Sequence, residues 1–210
     1  MNPLADYILS RQWENKSFYC QYLAQSYHYV FHSTRLLALS AAHTTKEQQQ
    51  FYKRCIKHIS EEAGHELIAI RDLANLGEKI EDYPELETTR ALWEPQYYKI
   101  EKSAPSLLGY ILSLEYLTVR TFGQLSKALD GIYGESCGKF VKIHAEEDPD
   151  HVEKCLVEIQ KLPQNELDIV MKNYSQTCVM FELFLDQCSK KRQLRYHNPS
   201  MTNPLAELSM

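Results

Sequence analysis

Residues 143–152 read Ile-His-Ala-Glu-Glu-Asp-Pro-Asp-His-Val, and this stretch is the most informative part of the chain. His144, Asp148 and His151 are spaced i, i+4 and i+7, so on an α-helix they fall within about 60° of one another, on a single face. Two imidazoles and a carboxylate in one row offer the mixture of ligands that suits Fe, Mn or Zn. The alternative interpretation is a solvated acidic helix that carries two histidines by chance.

Pro149 stands inside this row. In a helix interior, proline removes a backbone donor and crowds the carbonyl four residues earlier, at a cost of about 3 kcal/mol. Two outcomes are open at this point. Either the helix kinks or bulges within the ligand row, as helices often do at functional sites, or it ends there and the row is lost.

The rest of the chain is helical in pattern. Its 210 residues hold seven glycines and eight prolines, and no period-2 alternation bounded by turn signals is present. We therefore expect an all-α, single-domain bundle of about six to seven helices over residues 1–190. Five long helices are predicted: Asn15 to Ala42, about Lys46 to Leu76 with Thr45 as N-cap, about Pro105 to Leu129, about Gly134 to Leu162, and about Gln164 to Lys190. One short helix between bends is expected in residues 77–104, and residues 191–210 read as a polar C-terminal tail.

Composition narrows the class of protein. The formal net charge is −5, so no basic surface suggests nucleic acid as a partner. The longest apolar stretch, residues 107–119, is too short to span a bilayer and carries Glu115, so we expect no membrane insertion. The N-terminus lacks the pattern of a secretory signal, and the six cysteines form no C-x-x-C pair, which favours reduced thiols and a cytoplasmic location. A homodimer is compatible with this pattern.

A second candidate for a ligand pair lies in residues 59–68, Ile-Ser-Glu-Glu-Ala-Gly-His-Glu-Leu-Ile. Glu62 and His65 form a Glu-x-x-His pair, the device by which helical bundles hold a di-iron or di-manganese pair. Glu61 would face much the same way and stays open as an alternative. Gly64 costs about 1 kcal/mol relative to alanine within a helix, which suggests a close helix approach or room for a ligand. The other interpretation is a charged surface turn.

The third candidate is Glu115, within the apolar run Leu112 to Leu117. A buried carboxylate without a partner is costly, so it needs a cation or keeps its proton. Pairing with Arg120 or a position at the solvent edge would also explain it. Taken together, the three elements supply the carboxylates and imidazoles that two metal ions need, with positions left open for O₂.

With these residues in place, the chain resembles the heme-oxygenase-like diiron oxidases, in a superfamily that also holds thiaminase-type and heme-oxygenase-type domains. The resemblance runs from about Phe18 to Cys188. Its most specific motif, H-x-x-x-D-x-x-H, stands here as His144, Asp148 and His151. The family glutamate that is followed five residues later by arginine looks like Glu115 with Arg120, and the earlier Glu…His pair looks like Glu62 with His65. Residues 27–35 resemble the aromatic helix that borders the substrate pocket.

The resemblance implies a reaction class. It implies two irons per chain, Fe(II)/Fe(III), with O₂ as co-substrate, in a non-heme diiron oxidase that hydroxylates, desaturates or cleaves a small organic substrate such as an amino or fatty acid derivative. An external electron donor is compatible with this chemistry, and manganese is not distinguished from iron. We expect one metal at Glu62, His65 and His144 and the other at Glu115, Asp148 and His151, with a carboxylate bridging them.

Two further residues are candidates for a catalytic role. Arg120 either neutralises a carboxylate near the metals, anchors an acidic substrate, or forms a simple salt bridge. Tyr29, with Tyr27 and His32, either lines the pocket or belongs to the plain core.

Two rival functions stay open. One is a metal-independent, thiaminase-like hydrolase of the same fold, in which Cys137 would be a candidate nucleophile. The other is a non-catalytic iron- or heme-binding protein. Six ligand-type residues on three helices favour the oxidase, since neither rival needs them.

Overall fold

The computed structural model describes residues 3–190, which form nine α-helices and no strand. The helices are α1 (Pro3–Leu9), α2 (Lys16–Val30), α3 (Ser33–Ala42), α4 (Gln49–Glu62), α5 (His65–Asn75), α6 (Glu87–Lys102), α7 (Leu107–Tyr133), α8 (Lys139–Ile159) and α9 (Gln164–Ser189). Short 3₁₀ turns at residues 46–48, 80–82 and 104–106 join them. The predicted all-α class is confirmed. The predicted tail at 191–210 lies outside the described residues.

The first two predicted long helices are each broken in two, which corrects their bounds. Phe31 and His32 separate α2 from α3. Ala63 and Gly64 separate α4 from α5, and Gly64 has φ of +95°, a left-handed conformation that residues with a side chain rarely adopt. Glu62 therefore ends one helix and His65 begins the next, instead of following each other within a single helix. If each of these two broken helices is counted once, the described range holds seven helices, within the predicted six to seven.

The expected short helix in residues 77–104 is instead the 16-residue α6, even though Pro95 lies inside it. Burial of Leu92, Gln96 and Ile100 on one face stabilises this helix against its proline. Pro149 behaves in the same way. The α8 helix runs through it without a break, so the row of His144, Asp148 and His151 is preserved.

The centre of the bundle is α7, which packs against α8 on one side and α9 on the other. Contact with α9 is close at Gly109, where an added Cβ would lie 2.2 Å from the carbonyl oxygen of Val170. In the same bundle, α2 packs against α5 and α3 against α4. These contacts bring the inner faces of α4, α5, α7 and α8 toward a common centre.

A buried carboxylate ties α5 to the start of α8. The backbone N–H of Phe140, in the first turn of α8, donates to Asp72 Oδ2 at 2.7 Å. Asp72 is fully buried, and this burial raises its pKa to about 6. The contact fixes the rotation of α8 relative to α5, the two helices that carry His144 and His65.

No helix in the described range 3–190 is long and apolar enough to cross a membrane.

Candidate metal centre

All six metal ligands predicted from the sequence meet in one buried cluster at the centre of the bundle. They come from four helices and are each less than a tenth exposed: Glu62, His65, Glu115, His144, Asp148 and His151. A seventh residue, His58, joins them from α4 and is 2% exposed. The seven side chains divide into two groups that share Glu62.

The first group lies between α4, α7 and α8. His58 Nε2 is 3.1 Å from Glu115 Oε1 and 3.3 Å from Glu62 Oε1. His151 Nδ1 is 3.6 Å from the same Glu115 oxygen and 3.7 Å from Glu62 Oε1. The ligand atoms of these four residues all lie within 4.8 Å of one another. Asp148 borders the group, with Oδ1 3.7 Å from His151 Nδ1, and its other oxygen accepts the hydroxyl of Thr118.

The second group joins the α4–α5 break to α8. Glu62 Oε2 is 3.5 Å from His65 Nδ1, and His144 completes a set whose ligand atoms again lie within 4.8 Å of one another. His144 Nδ1 contacts the carbonyl oxygen of Phe140 at 2.7 Å. A carbonyl only accepts, so Nδ1 carries the proton and Nε2 keeps its lone pair for a metal. The two carboxylate oxygens of Glu62 therefore face two different groups.

The geometry of the cluster fits a set of metal ligands better than it fits a network of hydrogen-bonded ion pairs. Four of its buried atoms have no hydrogen-bond partner within the described part of the chain: His58 Nε2, His65 Nδ1, His151 Nδ1 and Glu115 Oε2. Each buried polar atom without a partner costs about 1–3 kcal/mol. Metal ions placed among these atoms would satisfy all four, and a mixed carboxylate and imidazole donor set suits iron or manganese.

Two of the imidazoles have a carboxylate behind them. Glu61 Oε2 is 3.4 Å from His151 Nε2, and Glu147 Oε2 is 3.5 Å from His65 Nε2. Such outer carboxylates orient a metal-bound imidazole and raise its basicity. Glu62 lies inside the cluster and Glu61 behind it, so this arrangement favours Glu62 as the ligand of the two. Three cations surround Glu61: Arg54, Lys57 and Lys154.

The charges of the cluster are strongly coupled. Burial alone would raise the pKa of Glu62, but the imidazoles of His58 and His65 outweigh it and hold that pKa well below its usual range. Burial alone would lower the pKa of His151, but Asp148 and Glu115 outweigh it and raise that pKa to about 10. Metal-free protein thus balances its carboxylates with protonated imidazole, and uptake of a metal cation would release protons.

A cavity of about 70 Å³ opens onto the cluster. This volume is well above the roughly 10–15 Å³ that one water molecule needs, so a small organic group or O₂ fits. Five cluster residues form part of its wall: His58, Glu62, Glu115, His144 and Asp148. The remainder is mostly apolar and aromatic: Tyr29, Val30, Ser33, Leu36, Leu37, Leu107, Tyr110, Ile111, Leu114, Thr118, Phe122 and Phe140.

The structure places Tyr29 in this wall, as one of the two sequence interpretations proposed, and burial raises its pKa well above the usual value. The other catalytic candidate, Arg120, is exposed and lies outside the cavity wall, because five residues along a helix turn its side chain about 140° away from Glu115. Cys137 is buried away from the cavity wall, and its carbonyl oxygen accepts the hydroxyl of Tyr19. Tyr27 and His32 also lie outside the wall.

Sequence reasoning missed His58. A signal was present, since His58 and Glu62 are spaced i, i+4 on one helix face and His65 follows three residues later. The Glu-x-x-His pattern identifies Glu62 and His65, but it does not include the histidine four residues before Glu62.

Comparisons with known proteins identify a family and a fold. A family model described as "iron-containing redox enzyme" matches residues 20–178. A domain of unknown function with a heme oxygenase-like fold from Shewanella denitrificans OS217 is similar over 96% of this chain and 89% of its own, with a TM-score of 0.78 and 25% identity. A TenA homolog from Pseudomonas syringae pv. tomato DC3000 is similar over 89% of this chain and 88% of its own, with a TM-score of 0.69 and 14% identity. None of the curated proteins matches the chain.

Proposed function

Because the chain belongs to the family of iron-containing redox enzymes and has a heme-oxygenase-like fold, we propose that it is a non-heme diiron oxidase that uses O₂ to oxidise a small organic substrate. The proposal has two irons per chain, held by the two groups of side chains that share Glu62.

One observation carries this proposal. The two oxygens of the Glu62 carboxylate point to different groups, Oε1 toward His58 and His151 and Oε2 toward His65. A carboxylate in this position would serve both metals, and helical di-iron carboxylate proteins build their sites from the same kinds of ligand on facing helices. Glu62, His65 and His144 would hold one iron. Glu115, Asp148 and His151 would hold the other.

The remaining residues prepare the site for redox chemistry. Bound at these positions, two ferrous ions would supply electrons for the reduction of O₂. The protein holds the imidazoles in place through Glu61, Glu147 and the Phe140 carbonyl, so the ligand geometry is set before any metal arrives. The largely apolar wall keeps water away from the reacting groups.

The cavity wall also limits the substrate. Among residues 3–190 it contains no lysine or arginine, so this part of the chain offers an acidic substrate no cationic anchor beside the cluster. We propose that the substrate presents an apolar segment to the cavity, as an aliphatic chain of an amino or fatty acid derivative would. Two-electron oxidation of such a segment supplies half of the electrons that full reduction of O₂ to water takes, so an external donor would deliver the other half.

The proposal is tested by O₂ consumption after anaerobic loading with Fe(II). We expect rapid O₂ uptake by the unmodified protein and by Glu101→Gln, which alters an exposed carboxylate on α6, and loss of this uptake in Glu62→Gln. Uptake that is unchanged in Glu62→Gln, or absent from the unmodified protein, would contradict the proposal. Hydrolysis of a thiamine-type substrate in the presence of a chelator would instead support the metal-independent rival, with which the TenA-like fold is compatible.

A further inference from the structure

We infer that His58 is a seventh metal ligand, which completes the coordination of the iron beside Glu115 and His151 and makes the two metal positions unequal. This inference rests on the proposed diiron function and adds to it a residue outside the six that the family motif indicates.

The first argument is distance. Ligand atoms about 2.1 Å from a common metal lie about 3.0 Å apart at right angles and about 3.4 Å apart at tetrahedral angles. His58 Nε2 lies 3.1 Å from Glu115 Oε1 and 3.3 Å from Glu62 Oε1. The corresponding distances from His151 Nδ1 are 3.6 and 3.7 Å. His58 thus has spacings at least as suitable for a shared metal as those of His151, which belongs to the family motif.

The second argument is orientation. His58 Nε2 is buried and close to two carboxylate oxygens, yet it makes no hydrogen bond of acceptable geometry with any residue in 3–190. An imidazole N–H that served only to neutralise Glu62 or Glu115 would align with one of them. Instead, ligand atoms of His58, Glu62, Glu115 and His151 all lie within 4.8 Å of one another, as the ligands of one cation do.

The third argument is the context of the side chain. The His58 ring lies 4.5 Å from the His151 ring, centroid to centroid, with the planes tilted by 56°. A second imidazole beside the first in a buried site, at 2% exposure, is costly unless both share a partner. A single metal between the two rings and the two carboxylates provides that partner.

A seventh ligand has a functional consequence. The first group then offers four ligands, His58, Glu62, Glu115 and His151, with Asp148 alongside, whereas the second offers three. Open coordination positions therefore concentrate at the iron held by His65 and His144. Both groups reach the cavity wall, the second through Glu62 and His144, so the less crowded coordination there is the reason that O₂ and substrate would bind at this metal.

The test uses Co(II) and Fe(II) alone, added without O₂ to the unmodified chain and to the variants His58→Ala, His58→Gln and His43→Ala. His43 is an exposed histidine at the end of α3 and serves as the matched control. Affinity for each equivalent is measured by competition with a chelator, and X-ray absorption of the Co(II)-loaded protein counts imidazole ligands.

We expect two equivalents in the unmodified chain, with four imidazoles shared between them. Both His58 variants should bind one of the two equivalents at least about tenfold more weakly, since even outer-sphere changes cost 10–100-fold, and should lose one imidazole from the count. His43→Ala should match the unmodified chain. Retention of the other equivalent shows that a His58 variant is folded.

Three results would overturn the inference. A count of three imidazoles in the unmodified chain would assign His58 to hydrogen bonding. Full metal affinity in His58→Gln would do the same, because glutamine keeps a hydrogen-bond donor there but is a poor metal ligand. In both cases two equivalents of metal would still be bound, and the proposed diiron function would stand. Absence of bound metal in the unmodified chain would remove both the inference and the proposed function.

Discussion

Substitution of Gly109 by alanine provides a stringent test of the packing that positions Glu115. In an exposed helix interior, Gly→Ala stabilises by up to about 1 kcal/mol. At Gly109 the new Cβ would lie 2.2 Å from the carbonyl oxygen of Val170 and 2.8 Å from the backbone nitrogen of Tyr174. Both atoms belong to the backbone of α9, so no side-chain rotation relieves the contact.

Relief requires α7 and α9 to separate by about 1 Å. Overpacking of this kind costs about 1–3 kcal/mol, and more where the backbone must move, which exceeds the gain in helix propensity. We therefore expect Gly109→Ala to lower the free energy of unfolding by about 1–3 kcal/mol. Urea denaturation of the metal-free protein, followed by circular dichroism, measures the change.

Gly123 is the matched control, since it lies on the same helix and a Cβ there would meet no atom of residues 3–190 within 4 Å. Gly123→Ala should leave the free energy of unfolding unchanged or raise it by up to about 1 kcal/mol. If both substitutions shifted stability equally and in the same direction, the close approach of α7 to α9 would be refuted.

Three further predictions concern the surroundings of the cluster. Gly64→Ala should lower the free energy of unfolding by about 1–2 kcal/mol, because Gly64 has φ of +95°, and should also weaken Fe(II) binding. Gly77→Ala, at φ of +80°, should lower the free energy of unfolding without changing Fe(II) binding. Equal Fe(II) affinities of the two variants in a chelator competition would contradict this prediction. Glu61→Gln should weaken Fe(II) binding by about 10–100-fold in the same competition by removing the carboxylate behind His151, and unchanged affinity would count against that role. Burial raises the pKa of Asp72 above its unfolded value of 3.8 to about 6, so the native state holds this proton more tightly, and the free energy of unfolding should fall by up to about 3 kcal/mol as the pH rises from about 4 to 6. In urea titrations at several pH values, Asp72→Asn should remove this part of the dependence of unfolding free energy on pH. An identical pH dependence in the variant would refute the prediction.

The sequence predicted the helical class and the cluster better than it predicted the breaks between helices. The row of His144, Asp148 and His151 was readable because helix periodicity fixes which residues share a face, and Pro149 did not disturb it. Glu115 was readable because a carboxylate in an apolar run needs a partner.

The features that escaped prediction depend on tertiary packing. The break at Ala63 and Gly64 gives no clear signal, since a lone glycine is tolerated within a helix. The length of α6 was missed because buried side chains outweigh the cost of Pro95. Arg120 lies outside the cavity wall because five residues along a helix bring a side chain to another face than that of Glu115.

The central claim, a dinuclear iron site held by the two groups that share Glu62, is tested most directly by the iron-to-protein ratio after anaerobic loading with ⁵⁷Fe(II), with Mössbauer spectra of the unmodified chain and of His151→Ala. We predict two irons per unmodified chain, with two distinguishable spectral components, and about one iron in His151→Ala. A ratio of one or none in the unmodified chain, or two irons retained at full affinity in His151→Ala, would contradict the claim.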